Sequence, residues 1–261
     1  MESAANSETS QDTDQGRRRA QPTLFLSDLH LSPERPAAFA AFKAFAAGPA
    51  RGAAAVYVLG DLFDWGIGDD EMADSFFAGA TRIMRGISAS GVALCVARGN
   101  RDFMMGSRFA QAIGATMLAD FHVLDVAGTR TILCHGDELC TDDTDYQVYR
   151  ARMRDPQTQA RLLRLPYAVR RAIAWWLRRK SHSEKSLKAE NIMDVNDDAV
   201  AGAFRAHDAA RMIHGHTHRP ARHAHEVDGR PRERWVMADW HDRGHYLEVD
   251  DAGVHVREIS G

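Results

Sequence analysis

The sequence predicts an α/β fold in which short buried strands alternate with helices. Apolar runs at 23–26, 54–59 and 92–97 each lead into a polar cluster, and runs of this kind are typical of buried strands. The segments between them, 36–47 and 70–88, have helical periodicity. This alternation favours a largely parallel inner sheet.

Two further apolar runs, 131–134 and 211–213, also end in polar clusters. After about residue 219 the pattern changes to short strand-like runs separated by turns such as 227–230. These runs are 223–227, 234–237, 244–249 and 253–258. They predict an antiparallel return of the chain and a second sheet, without long helices.

Five polar clusters follow the apolar runs. They are Ser27-Asp28-Leu29-His30, Gly60-Asp61-Leu62-Phe63-Asp64, Gly99-Asn100-Arg101-Asp102, His135-Gly136-Asp137 and His214-Gly215-His216-Thr217-His218. Ligands of open α/β sheets gather outside the carboxyl ends of the strands. Because all five clusters lie at such ends, the sequence predicts one shared site.

The residue types in these clusters indicate divalent cations. Asp, His and Asn offer oxygen and nitrogen ligands, and the chain has no cysteines at ligand spacing. One Asp after a strand is more typical of a turn or a helix cap, and one His of a structural hydrogen bond. Five clusters in the same context favour a metal site instead. His214 is expected to support the neighbouring ligands rather than to bind metal.

The bulk properties are those of a globular protein with one domain. Of 261 residues, 44% are hydrophobic and 26% charged, which is ordinary for this class. Three unpaired cysteines fit a reducing, cytoplasmic setting, and no apolar stretch approaches the roughly 20 residues of a spanning helix. We expect a disordered tail at 1–20, because its first 19 residues are polar, and a folded domain at 21–261.

The segment 150–188 differs from the rest in charge. It contains 12 Lys and Arg against 2 Asp and Glu, so its net charge is +10, and the rest of the chain carries −13 of the total of −3. A helix is predicted at 166–180, with Val169, Ile173, Trp176 and Leu177 on one face. A basic helix with tryptophan can lie in a membrane interface or cover a lipid-like anion; the alternative is a surface helix packed on the body.

The five clusters, in this order, resemble the calcineurin-like metallophosphoesterases over about residues 23–242. The resemblance implies a four-layer αββα sandwich of two mixed sheets with a helical cap insertion, here at about 146–192. It also implies two metal ions. One would be held by Asp28, His30, Asp61 and His218, and the other by Asp61, Asn100, His135 and His216.

Longer strings resemble the UDP-2,3-diacylglucosamine diphosphatase family of lipid A biosynthesis. They are Gly60-Asp61-Leu62-Phe63, Gly99-Asn100-Arg101-Asp102-Phe103, His135-Gly136-Asp137, Leu139-Cys140-Thr141-Asp142-Asp143, Ile192-Met193-Asp194-Val195-Asn196 and the stretch 214–220. The resemblance implies hydrolysis of the pyrophosphate of UDP-2,3-diacylglucosamine by water that two Mn²⁺ ions activate for attack on the uridylyl phosphorus. It further implies a peripheral protein on the cytoplasmic face of the inner membrane.

Arg101 favours a phosphate leaving group on chemical grounds. Many superfamily members have His at this position, which is interpreted as the acid that protonates an alkoxide leaving group. Arginine stays protonated in proteins and cannot do this. A phosphate leaving group needs little protonation, since its second pKa is about 6, and an arginine can bind it with two parallel hydrogen bonds.

The resemblance also assigns residues to the substrate. Substrate contacts are expected at Asn100, Arg101, Asp143, Ser181, Lys185, Lys188 and His216. Lys185 departs from the family, in which Asn is common there. Asp61, Asn100, Arg101 and His135 are the expected catalytic residues, and the cap is expected to enclose acyl chains.

Two other functions fit parts of the sequence. Another dinuclear metallophosphoesterase, acting on cyclic nucleotides or phosphoproteins, would share the metal ligands but would not explain the basic segment. A non-catalytic binding module on the same fold would not explain why all seven ligand positions are filled. We expect a monomer without a nucleic-acid partner, although tight binding to duplex with a steep salt dependence would favour one.

Overall fold

Eleven strands form two mixed sheets in the computed structural model, which describes residues 21–185 and 194–261, with the side chains of 178–185 left out. The strands are β1 (Thr23–Leu26), β2 (Ala55–Leu59), β3 (Ala93–Ala97), β4 (Thr116–Met117), β5 (His122–Val126), β6 (Thr129–Leu133), β7 (Arg211–His214), β8 (Ala221–Val227), β9 (Arg230–Val236), β10 (Gly244–Asp250) and β11 (Gly253–Ile259). The first sheet has the order β11-β10-β1-β2-β3-β4, and the second β5-β6-β7-β9-β8. Strands β1 to β4 are parallel, as are β6, β7 and β9.

Seven α-helices accompany these strands in the described part of the chain. They are α1 (Pro36–Ala47), α2 (Ser75–Ala89), α3 (Ser107–Ile113), α4 (Thr144–Arg154), α5 (Pro156–Leu163), α6 (Tyr167–Lys185) and α7 (Asp197–His207). Their starts follow from local chemistry. Pro36 occupies the first turn of α1, where a missing N–H costs nothing. The Asp74 carboxylate caps α2 by accepting the Phe76 N–H at 2.9 Å.

Side-chain alternation along the strands divides the core into three apolar clusters, one between each pair of adjacent layers. In β1, Leu24 and Leu26 pack against α1 to α3, whereas Phe25 faces the second sheet. In β7, Met212 packs against α7, whereas Ile213 meets the first sheet. One helical layer, two sheets and a second helical layer result, so the expected four-layer αββα sandwich of mixed sheets is confirmed.

The C-terminal strands form the predicted antiparallel return and part of the predicted second sheet, but they are divided between the two sheets. The hairpin β8–β9 joins the second sheet, whereas β10 and β11 extend the first sheet antiparallel to β1. Strands β6 and β7, with two of the polar clusters, also belong to the second sheet. The reason is packing between the sheets, where Leu247 and Val249 of β10 contact the same apolar cluster as Phe25. This contact links residues too distant in sequence for a local pattern to reveal.

Helix α6 starts next to the expected position but presents a different face to the body. Arg170, only 4% exposed, donates to the carbonyls of Leu163 and Leu165 and pairs with Asp70. Val169 and Trp176, predicted on the apolar face, are 44% and 57% exposed. The buried cation therefore takes the place that periodicity alone gives to Val169.

Candidate metal centre

The seven predicted ligands come together where the two sheets meet. Asp28 and His30 follow β1, Asp61 follows β2 and Asn100 follows β3, all at the carboxyl ends of parallel strands. From the second sheet, His135 follows β6, and His216 and His218 follow β7. The expectation of one shared site at the strand ends thus describes the observed arrangement, although the strands belong to two sheets.

Five of these seven residues have left-handed backbone conformations. The φ angles are 55° at Asp28, 45° at His30, 50° at Asp61, 67° at His216 and 55° at His218. Only three other non-glycine residues in the described part of the chain have positive φ. Each such residue costs roughly 1–3 kcal/mol, and strain of this kind concentrates at functional sites. The backbone is therefore bent to turn alternate side chains toward one point.

The first group of ligand atoms comes from Asp28, His30 and His218. The His218 Nε2 atom lies 3.2 Å from Asp28 Oδ1 and 3.4 Å from His30 Nε2. His30 Nε2 is 3.9 Å from the same carboxylate oxygen. Two ring nitrogens and a carboxylate oxygen thus converge within the span of one cation's coordination shell.

The second group is centred on the Asn100 side chain. Its Oδ1 atom lies 3.0 Å from His135 Nε2 and 2.9 Å from His216 Nδ1. Asp61 lies between the groups, because its Oδ1 is 3.7 Å from His135 Nε2 and its Oδ2 is 3.8 Å from His30 Nδ1. With one oxygen toward each group, Asp61 is placed to bridge two ions.

The electrostatics of the centre fit bound cations. Asp28 and Asp61 are 0% and 2% exposed. Burial raises the pKa of Asp61 to about 7, to which Asp102 and Asp28 add, while His135 opposes the shift. Burial lowers the pKa of His135, but Asp61, Asp28 and Asp137 outweigh it and raise that pKa to about 9. Buried carboxylates need positive charge nearby, and divalent cations would supply it.

The orientation of the ligands leaves polar atoms directed into the centre. His135 Nδ1 donates to the Leu59 carbonyl at 2.9 Å, so Nε2 is the atom left for the site. His30 Nδ1 is buried without a hydrogen-bond partner. A buried nitrogen of this kind is costly unless something binds it. Together with the oxygen and nitrogen donor set, it shows that these residues fit a divalent cation.

Glycines let the loops approach one another. A Cβ atom on Gly99 would lie 2.0 Å from Asp61 Oδ1, and one on Gly215 would lie 2.0 Å from Asp28 Oδ2. Both positions therefore require glycine for the carboxylates to occupy their places. Asp102 fastens the same loops, since its two oxygens accept the N–H groups of Leu62 and Gly99 at 2.8 and 2.7 Å.

His214 lies beside the centre with both ring nitrogens engaged. Its Nδ1 donates to the Gly215 carbonyl at 2.9 Å, and its Nε2 accepts from Arg234 at 3.1 Å. Burial, followed by the charge of Arg234, lowers its pKa to about 3. His214 is thus a neutral support beneath the His216 loop.

Sequence reasoning missed a carboxylate behind the first group. Asp239 Oδ2 lies 3.4 Å from His218 Nδ1 and 2.6 Å from His241 Nε2. Arg35 in turn contacts His241 Nδ1 at 2.7 Å. A signal was present, because Asp239 follows the predicted run 234–237 in the same way that the five clusters follow theirs.

A cavity of about 680 Å³ opens from the centre toward the cap helices. Of the residues predicted to bind substrate, Asn100, Arg101, Asp143 and His216 line it. The opposite wall consists of side chains from α4, α5 and α6: Tyr146, Tyr149, Met153, Leu162, Arg170, Ile173, Ala174 and Leu177. Ser181 and Lys185 fall on α6, where side chains are not described, and Lys188 falls outside the described residues.

Comparison with known proteins shows consistent relationships. Residues 21–220 match the family model of the calcineurin-like phosphoesterases. The UDP-2,3-diacylglucosamine hydrolase of Cellvibrio japonicus (strain Ueda107) is 44% identical over 235 residues, which cover 90% of this chain and 98% of that protein. Proteins of the same name from Aromatoleum aromaticum and Pseudomonas paraeruginosa are 46% and 45% identical, over 89% and 88% of this chain and 95% of each relative.

Proposed function

Since the chain belongs to the calcineurin-like phosphoesterases and, within them, to the family of the UDP-2,3-diacylglucosamine hydrolases, we propose that it hydrolyses the pyrophosphate bond of UDP-2,3-diacylglucosamine in lipid A biosynthesis. The products would be UMP and 2,3-diacylglucosamine 1-phosphate. The chain is a hydrolase, and its centre is suited to divalent metal ions.

The observation that carries this proposal is the set of residues that line one cavity. Its floor holds Asn100, Arg101 and His216 from the candidate metal centre, and its far wall holds Met153, Leu162 and other apolar side chains of the cap. A substrate with a charged pyrophosphate and long acyl chains matches both surfaces. A cyclic nucleotide or a phosphopeptide would leave the apolar wall exposed to water.

Two divalent cations, which we propose to be Mn²⁺, would neutralise the phosphate oxygens and activate the attacking water. The seven ligands would be Asp28, His30, Asp61, Asn100, His135, His216 and His218. Asp61 would bridge the two ions, because its oxygens point to opposite groups.

Arg101 would act on the phosphate itself. Its backbone N–H donates to Asp61 Oδ1 at 2.8 Å, which fixes the residue beside the bridging carboxylate. Its side chain lines the cavity and can hold a phosphate by two hydrogen bonds. Charge on the transferred and departing oxygens would therefore be stabilised without a proton from this residue.

The cap, at about 146–192, would hold the lipid and approach the membrane. Val169, Trp175 and Trp176 of α6 are 44%, 51% and 57% exposed, and the segment 150–188 carries a net charge of +10. Basic helices with exposed tryptophan bind the interface of anionic bilayers. Within the described residues, no helix combines the length and apolarity that crossing a bilayer requires. From the exposed basic helix and the family resemblance, we propose peripheral binding to the cytoplasmic face of the inner membrane. We also propose that the protein is a monomer without a nucleic-acid partner.

The proposal is tested by UMP release from UDP-2,3-diacylglucosamine in mixed micelles. We expect UMP with Mn²⁺, loss of activity with EDTA, and recovery when Mn²⁺ is restored; parallel reactions with Mg²⁺ and Zn²⁺ identify the preferred ion. In water labelled with ¹⁸O, the label should appear in UMP, because attack is at the uridylyl phosphorus. Absence of UMP from metal-replete protein would overturn the proposal, and turnover of a cyclic nucleotide or phosphopeptide would then indicate another phosphoesterase activity.

A further inference from the structure

Helix α4 is attached to the metal-centre loops by polar contacts. None of its residues is buried, so apolar packing alone does not determine its position. Arg150 donates from Nε to Asp137 Oδ2 at 2.9 Å and from Nη2 to Asp120 Oδ2 at 2.7 Å. Arg154 donates from Nη1 to Asp120 Oδ1 at 3.0 Å. We call these four residues the α4 clamp.

One end of the clamp contacts the turn that holds Asn100 and Arg101. The Nη2 atom of Arg154 donates to the carbonyls of Arg98 and Gly99, both at 3.2 Å. On the opposite side, Asp102 and Asp61 accept the N–H groups of Gly99 and Arg101. The turn is thus fixed by carboxylates of the body at its N–H groups and by a guanidinium of the cap at its carbonyls.

The other end of the clamp contacts the loop after His135. Asp137 is fully buried and also accepts the Tyr146 hydroxyl at 2.7 Å. The Tyr146 ring lies nearly parallel to that of His216, with an angle of 26° and centroids 6.2 Å apart. Gln147 adds a bond to the Asp137 carbonyl at 2.8 Å. Buried Asp137 therefore requires α4, because removal of Arg150 would leave its charge poorly compensated.

We infer that Arg150 and Arg154 are positioning residues. Arg154 holds the Asn100–Arg101 turn in its working geometry through the carbonyls of residues 98 and 99, and Arg150 supports it through the shared partner Asp120. This inference rests on the proposed function for its kinetic consequence, but its structural consequence is independent of substrate. A cap that served only to hold acyl chains would need no hydrogen bonds to the carbonyls of residues 98 and 99. The clamp thus links a cap helix that lines the cavity to the turn that carries the phosphate-binding arginine.

The kinetic test replaces Arg154 by glutamine in the full-length protein. We expect kcat for UMP release to fall about 10- to 100-fold, the range seen when partners of site residues are removed, with KM changed less than about threefold. Arg152→Gln is the control, because Arg152 is exposed on the same helix outside the clamp and loses the same charge. Asp120→Asn should reproduce part of the loss of kcat. Combined with Arg154→Gln in a double variant, it should lower kcat little further, since both residues belong to one network.

A second readout separates this inference from the proposed function. Hydrogen exchange in a peptide covering 98–104 should be about tenfold faster in Arg154→Gln and unchanged in Arg152→Gln, whatever the substrate. If Arg154→Gln does not fold, Arg154→Lys supplies the same comparison, because lysine cannot reach both carbonyls and Asp120 with one planar group. The positioning role would be wrong if hydrogen exchange in this peptide stayed unchanged in the variant, or if the substitution raised KM without lowering kcat. Absence of UMP from the wild type together with faster exchange in the variant would overturn only the substrate assignment.

Discussion

The metal-centre loops and the cap helices place polar groups in opposite surroundings. In the loops, Asp28, Asp61 and His135 are nearly inaccessible to solvent, and left-handed backbone conformations at Asp28 and Asp61 direct these two carboxylates inward. In the cap, Val169, Trp175 and Trp176 of α6 remain exposed. Helix α4 contacts the body through ion pairs. The contrast indicates a division of labour. Under the proposed function, the loops hold the groups that cleave one bond, whereas the cap covers a large amphipathic substrate.

The largest effect is expected at Arg101, where the two regions meet. Arg101→His should lower kcat for pyrophosphate cleavage by about 100-fold, because one donor to charged transition-state oxygens typically contributes that much. Arg101→Lys should lose less, since it keeps the charge without the paired donors. The measurement is UMP release at saturating substrate, with exposed Arg108→His as control. Faster cleavage by Arg101→His would contradict the assignment.

A smaller effect on the loops alone is expected from Asp239→Asn. Loss of the carboxylate behind His218 should weaken Mn²⁺ binding about 10- to 100-fold, as removal of a partner of a metal-bound imidazole usually does. Electron paramagnetic resonance of free Mn²⁺ measures this without substrate. Exposed Asp242→Asn is the comparison variant. Equal affinities for the two variants would show that His218 needs no such support.

The cap should respond to tryptophan removal in binding rather than in chemistry. Trp175→Ala with Trp176→Ala should reduce the affinity for vesicles of anionic phospholipid about tenfold, because interfacial binding scales with the apolar area that is buried. Turnover in mixed micelles should change little. Val256→Ala removes an equally exposed apolar side chain, 62% accessible, from the body. Vesicle binding that stays at the wild-type level would place the membrane contact elsewhere.

The smallest effect on turnover, but a measurable effect on stability, is expected at Glu71 beneath the cap. Glu71 is 1% exposed, and burial raises its pKa to about 8. The unfolded chain ionises this group above pH 4.5, whereas the folded chain ionises it only near pH 8. The favourable contribution of Glu71 to the free energy of unfolding is therefore complete below pH 4.5 and is lost as the pH rises to 8. Glu71→Gln should therefore raise the free energy of unfolding by about 2–3 kcal/mol at pH 7.

Urea unfolding at pH 5 and pH 8 measures the effect of Glu71→Gln. The gain should be larger at pH 8, and exposed Glu34→Gln should show no such difference. Equal gains at both values would mean that Glu71 is ionised in the folded protein.

The sequence was most informative where function is local. Strand-end clusters such as Asp28–His30 reveal themselves because each is a short polar string after a buried run. The partition of strands between two sheets was not predictable, since it depends on contacts such as Phe25 with Leu247. The orientation of α6 was missed for a related reason. Periodicity treats Arg170 as a surface residue, whereas Asp70, a hundred positions away, makes its burial favourable.

The left-handed backbone at Asp28 and Asp61 also determines which substitutions are interpretable there. Among ordinary residues, asparagine tolerates this conformation best, because its short amide can bond locally. Replacement by asparagine therefore isolates the loss of a carboxylate charge. Replacement by alanine adds a backbone penalty and reports a mixture of the two. Few residue types therefore fit the backbone at these two positions without strain. Alanine scanning would overstate the chemical role of each carboxylate.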